Sequence, residues 1–580
     1  MGARAGRTDR GLPAVIGRAR RALVLALALV AAPAVGQAPE PAPELRILLK
    51  PGALDPAAGT ATLDVTMTVP AMTVAAGQPL FSQQNMAPRM KGPVELADLT
   101  VTDSAGAVPI VTDGKNGQRG WSATRAVSGD VTIRYRALID NARDSILSST
   151  PHVDGPGLFG IGNMLIVAPN VDSAHRVAID WDLSALPPGS KAVSTFGDGN
   201  VRLPAGSLSR LTFAMYMAGD IKREPEAATG GFSANWTGEP TFDIRSAMRW
   251  SQQLYHFMSR YFADPEEPLY HVFLRRSEMN AGNGVAAPHA FSLSFGPKTT
   301  AEGVKTILGH EMTHTWTVAD IGKWYSEGNA VYYQARLSWL AGMIPTDQYL
   351  ADINLTAARY YSNTAMGAPD ADIVPRFWED SRYNVLAYDR GALYFATLDA
   401  MIRHRSQGRR SIDDPIRAMV DLARKDQPIT EATWTGLLQG ELGAAGPTLH
   451  RAMMVGERIV PPSDAYGPCF RRVAAKVRPV DLGFGEPALR LYKKVVGLRA
   501  GSEAANAGLQ EGDEVDYSLG TEAILRQQDA LLTVKVTRGE QRFTVSYLPR
   551  GAPVDGFRWE RVPAVPESRC RPAPAINLRK

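Results

Sequence analysis

Residues 307 to 333 read ILGHEMTHTWTVADIGKWYSEGNAVYY, and this stretch constrains the fold more than any other. His310 and His314 are four apart, so on a helix they lie one turn apart on one face, and two imidazole nitrogens can converge on one ion. Glu311 projects beside that face, where a carboxylate can reach a metal-bound water without binding the metal. Val304, Ile307, Leu308 and Met312 form an apolar stripe that turns the same helix toward a core. Thr299 and Glu302 have capping-box spacing and predict a helix start near Thr300.

Zinc held by three protein ligands keeps one position open for water and lowers that water's pKa to about 7. A neighbouring carboxylate can take the proton and later pass it to a leaving amine. The third ligand has to be a carboxylate or histidine from another element. Glu327 is the best candidate, on a second helix, WYSEGNAVYY, expected to pack antiparallel to the first. A structural zinc site is the alternative, but such sites usually fill all four positions with Cys and His, and neither cysteine of this chain is near the motif.

The 580 residues exceed one ordinary core and imply about three domains. Residues 40 to about 225 alternate apolar and polar positions in ATLDVTMTV, DVTIRYRAL, HRVAIDWDL and SRLTFAMYM, which reads as a mostly antiparallel sandwich or saddle. From about 240 to 456 the periodicity is helical. A short strand pair, YHVFLRRS and AFSLSFG, precedes the histidine helix. Short strands and turns return from about 470 to 550, and the tail after Gly551 is proline-rich.

The formal net charge of +4 is misleading, because residues 1–36 supply +5 and leave the remainder at −1. A near-neutral chain gives no electrostatic reason to expect nucleic acid as partner. Arg18, Arg20 and Arg21 precede ALVLALALVAA, and Ala34 and Gly36 follow at signal-peptidase spacing, so residues 1–36 read as an export signal. The alternative is an uncleaved anchor, for which the apolar run is short against the roughly 20 residues a span needs. A periplasmic or secreted protein without a membrane span after cleavage is expected. An exported chain can join Cys469 and Cys570; two free thiols are the alternative.

HEMTHTW followed by WYSEGNAVYY resembles the glycyl aminopeptidase family of zinc metallopeptidases, which belongs with the thermolysin-like and aminopeptidase N-like enzymes. The resemblance implies one zinc ion held by His310, His314 and Glu327, with Glu311 as general base and a peptide or protein as substrate. AYDRGALYFATLDAMIR looks like the family's Tyr-x-Lys-Gly-Ala-Leu helix, which makes Tyr388 the candidate oxyanion donor, with Arg390 in the lysine's place. VGLRAGSEAANAGLQEGDEV is similar to the core of a PDZ domain, with Ala507, Gly508, Leu509, Gly512 and Asp513 as turn residues. There the loop 482–485, LGFG, is expected to receive a peptide C-terminus.

The implied fold is therefore multidomain: an N-terminal β-sandwich-like domain over 37–228, a mainly α, thermolysin-like catalytic domain over 229–460, a PDZ-like β domain over 461–555, and a proline-rich tail over 556–580. The chain departs from the family in two places. Only twelve residues separate His314 from Glu327, and the stretch NAGNGVAAPHAFSLSFG lacks the acid that related aminopeptidases use to hold a substrate's amino group. Gly282, Asn283 and Gly284 remain as a backbone for an extended substrate, with Glu278 upstream and His289 downstream as further candidates. An aminopeptidase is the expectation from the resemblance. A zinc endopeptidase, or a PDZ-based binding protein with a vestigial zinc site, is the alternative.

Overall fold

The structure is a computed structural model that describes residues 42–571 apart from 84–93, 116–117, 144–150, 228–230, 265–268, 278–280, 283, 288, 318, 486–488, 519–523 and 526. The expected export segment, Glu278 and Asn283 lie outside the described residues. No helix among those described is long and apolar enough to cross a membrane.

The N-terminal part is built on strands whose alternation matches the sequence pattern. In Thr60–Val74 the side chains of Ala61, Leu63, Val65, Met67 and Val69 point inward and are almost fully buried, with polar residues between them. This strand is central in a seven-stranded sheet, with Glu44–Asp55 on one side and Val127–Asp140 on the other. A five-stranded and a four-stranded sheet accompany it. Glu44–Asp55 pairs in parallel with His175–Trp181, and the other pairings of this sheet are antiparallel, in keeping with the mostly antiparallel expectation. One expectation changes in detail. The run SRLTFAMYM begins as a helical turn at Ser209–Thr212, and its strand starts only at Met215.

A further five-stranded sheet follows. Its order is Lys222–Glu224, Phe232–Trp236, Tyr270–Arg276, Ala290–Phe295 and Gly284–Ala287. The inner strands run parallel, and Gly284–Ala287 closes one edge antiparallel to its neighbour. Lys222–Glu224, expected in the N-terminal domain, belongs here because it pairs with Phe232–Trp236. Phe159, Val193, Met215 and Met217 of the N-terminal part pack with Phe273 and Ala290 of this sheet.

The helices that matter follow: α1 (Ile244–Tyr261), α2 (Ala301–Thr313), α3 (Lys323–Leu340), α4 (Thr346–Tyr361) and α5 (Ser381–Ser406). The cap of α2 is Thr300, not Thr299. The Thr300 hydroxyl accepts from the Gly303 N–H at 3.1 Å, while Thr299 Oγ1 accepts from the Gly296 N–H in the preceding turn. Glu302 is turned to Lys305 instead. Val304, Leu308 and Met312 of α2 are fully buried, each worth about 1.5–3 kcal/mol of burial.

The C-terminal region has its own small core, in which Leu482, Phe484, Val495, Leu509, Leu532 and Val534 pack together. It carries a three-stranded antiparallel sheet of Glu514–Tyr517, Leu532–Arg538 and Gln541–Tyr547. Val554–Arg561 is a strand paired with Phe470–Val477, and the Trp559 N–H donates to Asn354 on α4 at 2.7 Å. Cys469 and Cys570 are disulfide-bonded across 101 residues and fully buried, which closes this tail onto the helices. Replacing Cys570 with Ser is expected to cost about 2–4 kcal/mol, read as a lower thermal midpoint that added reductant reproduces in the unmodified protein.

Candidate metal centre and catalytic cavity

Helices α2 and α3 bring the site together. Residues near positions 309 and 314 of α2 face positions 334 and 327 of α3, so the two helices run antiparallel, as their sequences predicted. A Cβ on Gly309 would sit 2.7 Å from the Gln334 carbonyl oxygen, so only glycine lets the helices approach this closely beside His310. Beside Glu327, Gly328 meets Gly391 of α5, where a Cβ on Gly391 would lie 2.3 Å from the Trp324 carbonyl oxygen. Two glycine contacts thus set α2, α3 and α5 against one another at the site.

Among the described residues, His310, His314 and Glu327 form the one group of His, Cys, Asp or Glu close enough to hold a metal. Glu327 Oε2 is 3.4 Å from His310 Nε2 and 3.5 Å from His314 Nε2. Ligand atoms about 2.0–2.1 Å from one tetrahedral ion stand about 3.3–3.4 Å apart, so donor set and spacing fit a single zinc ion. Burial alone would push the Glu327 carboxyl up, but the two imidazoles hold it well below the usual range, as a ligand requires.

Sequence reasoning missed the residues behind His310. Its Nδ1 is 3.2 Å from Gln334 Oε1, and Gln334 Nε2 donates to Asp352 of α4 at 2.7 Å. An amide oxygen on Nδ1 fixes the proton there and leaves Nε2 facing the ligand cluster. The available signal was the spacing, because Gln334 lies seven residues after Glu327 on the same face of α3. Gln334→Ala is expected to weaken zinc binding about 10–100-fold, measured by competition with a chelating dye.

A cavity of about 220 Å³ opens beside the cluster, lined by Gly282, Gly284, His310, Glu311, Gln334, Asp352, Arg359, Asn384 and Tyr388 among others. Burial pushes the Glu311 carboxyl up from its ordinary value, opposed by His310 and His314. Tyr388 is held by its ring, nearly parallel to His310 at 5.9 Å and 19° and close to parallel with Phe377 at 6.3 Å. Gly284 belongs to the edge strand, whose outer side faces no other described strand. His289 lies in the turn after that strand and does not line the cavity. Arg390 is fully buried away from the site and donates to the Met366 and Ala368 carbonyls, so it clamps a loop.

The cavity wall on α4 carries a buried ion pair. Arg359 Nε donates to both oxygens of Asp389 at 3.1 Å, and its terminal nitrogen adds a further bond. In the C-terminal region, the loop 482–485 lines a separate space of about 160 Å³ with Thr364 and Arg382 of the helical part. Two of its N–H groups are used within the chain: Gly483 donates to Asp481 and Gly485 to the Val496 carbonyl.

No protein-family profile and no curated protein sequence matches this chain. Among solved structures, it is similar to an aminopeptidase N family protein from Idiomarina loihiensis, with a TM-score of 0.65 at 15% identity, covering 89% of this chain and 98% of that one. A weaker likeness, TM-score 0.42 at 15% identity, is to an M1 zinc metallopeptidase from Deinococcus radiodurans, covering 73% and 95% of the two chains. Another, TM-score 0.46 at 12% identity, is to native yeast LTA4 hydrolase, covering 73% and 68%. The chain shares the multidomain fold of the first of these, with a sheet-rich N-terminal part and a helical part behind it.

Proposed function

We propose that this chain is an exported zinc peptidase that removes residues from the free N-terminus of peptides. The observation that carries the reading is that Glu327 stands 3.4 and 3.5 Å from the two imidazoles, while His310 of the same group lines a cavity together with Glu311 and Tyr388. Zinc, when bound, supplies an acidified water and polarises the peptide carbonyl. Glu311 takes the proton as water adds to the carbonyl carbon and returns it to the departing amine nitrogen. The Tyr388 hydroxyl donates to the carbonyl oxygen as that atom gains charge. The edge strand at Gly284 offers backbone groups against which an extended peptide can lie. In this reading residues 1–36 are removed on export to the periplasm or beyond. Residues 37–228 and 229–460 form the β and catalytic domains, and 461–555 form a PDZ-like domain whose expected ligand is a peptide C-terminus.

The test is one peptide set, free or acetylated at the N-terminus, incubated with the zinc-loaded mature protein and read by mass spectrometry. Loss of single residues from the free peptides alone is the expected result. Internal cuts in both sets would mean an endopeptidase. Products no different from those of Glu311→Gln would leave a binding protein.

A further inference from the structure

A bond cut at the metal centre divides a peptide between two spaces. The cavity beside His310, about 220 Å³, has room for one residue, and neither His314 nor Glu327 lines it. The N-terminal residue fits there, so the leaving part has to run over the other flank of the ligand cluster. That flank is the more open one: His314 keeps 22% of its side chain exposed, against 13% for His310 and 14% for Glu327. Lys323, the first residue of α3, stands outside the cavity and beside Glu327, half-exposed, with its Nζ 4.0 Å from Glu327 Oε1. We propose that Lys323 binds the C-terminal carboxylate of the substrate and makes dipeptides with both ends free the preferred substrates; this rests on the peptidase reading above.

The position of the ammonium fits that task. It lies 5.8 Å from the centre of the Phe377 ring, and Phe377 stacks on Tyr388. The cation is therefore set between a metal ligand and the ring that backs the oxyanion donor. An extended residue spans about 3.3–3.6 Å, so the carboxylate of a dipeptide lies one such step beyond the bond that is cut. An ammonium 4.0 Å from a ligand oxygen is within that reach. In a longer peptide the carboxylate stands a further step away for every residue added.

The fold gains little from a cation here. A positive charge in the first turn opposes the helix dipole, and Gly322 brings no side-chain cap to offset it. Lysine four residues before glutamate is the weaker order for an ion pair along a helix. At 4.0 Å the contact with Glu327 is too long for a hydrogen bond, and no described residue accepts one from the ammonium. A divalent ion held by Glu327 would repel the ammonium further. Each of these costs is offset when an anion sits against Lys323, and the substrate's own carboxylate is an anion that arrives with every turnover.

Binding is measured apart from chemistry, in zinc-loaded protein carrying Glu311→Gln. Dialanine and dialanine amide are titrated calorimetrically, with zinc content determined alongside. The titrations are repeated after adding Lys323→Met, which keeps the stem over Phe377 but removes the charge. Dialanine is expected to bind more tightly than its amide. Lys323→Met is expected to weaken dialanine roughly 10–100-fold, to leave the amide nearly unchanged, and to retain zinc. Lys323→Arg should restore most of the difference. With Glu311 intact, Lys323→Met should raise KM for dialanine far more than it lowers kcat, and erase the preference for dialanine over tetra-alanine. A preference for the free carboxylate that survives Lys323→Met would overturn the assignment. So would an equal fall in kcat on dialanine and its amide, which would make Lys323 a donor to the carbonyl oxygen. Loss of both ligands with zinc released would also overturn it, leaving Lys323 as a support for Glu327. If the unmodified enzyme cuts dialanine and its amide alike, the peptidase reading stands and the carboxylate site falls. If it neither binds nor cuts these or tetra-alanine, both fall.

Discussion

Replacing Glu311 with Gln is expected to lower kcat roughly 10²–10⁴-fold with zinc still bound at one ion per chain. Glutamine has the same shape as glutamate and can occupy the same space beside His310 and His314, but it cannot accept and return a proton. Glu311 is outside the ligand group of His310, His314 and Glu327, so the metal should not notice the change. Initial rates and metal analysis on one preparation decide it. If zinc stays and the rate is intact, Glu311 is not the group that moves the proton. If zinc leaves, Glu311 is a ligand and the assignment of Glu327 has to be revised.

The larger effect on stability is expected from Asp389→Ala. Asp389 is fully buried and Arg359 nearly so, and their bidentate pair supplies the carboxylate that neutralises the guanidinium. Removing one partner of such a pair leaves an uncompensated buried charge, a loss of about 3–5 kcal/mol. The urea midpoint should fall accordingly. The double variant Arg359→Met with Asp389→Leu separates loss of charge balance from loss of packing, since replacing both partners with apolar groups of similar volume is often near neutral. A double variant as unstable as Asp389→Ala would show that the pair matters through its other contacts. Because Arg359 lines the cavity, the single variant should also bind free peptides less well than acetylated ones.

Much of the site was legible because it follows from local rules. The i, i+4 histidines, the apolar stripe of α2 and the downstream glutamate on α3 each express helical periodicity, and the structure brings His310, His314 and Glu327 close together. The alternation in Thr60–Val74 was equally plain. What could not be read is what depends on a third element. Asp352 is one of many acids in a helical stretch, and only the docking of α4 against α3 places it beside Gln334. Arg390 looked like a retained charge in a site motif, but burial under the 366–368 loop gives it a different task. The strand at Val554–Arg561 was hidden because its partner lies about eighty residues earlier, beyond the reach of any local pattern.

Val385 has a double membership. It lines the cavity beside His310, three residues before Tyr388 on α5, and it also belongs to the core that Leu482, Phe484 and Leu489 build in the C-terminal region. The same junction is tied at the start of α5, where the Asp380 carboxylate accepts from both the Arg382 and the Leu489 N–H groups. The two regions are therefore joined along this face of α5. A chain shortened before residue 470 would lose more than an appendage, because it would also uncover the side of the cavity wall that Val385 turns toward Leu482 and Phe484.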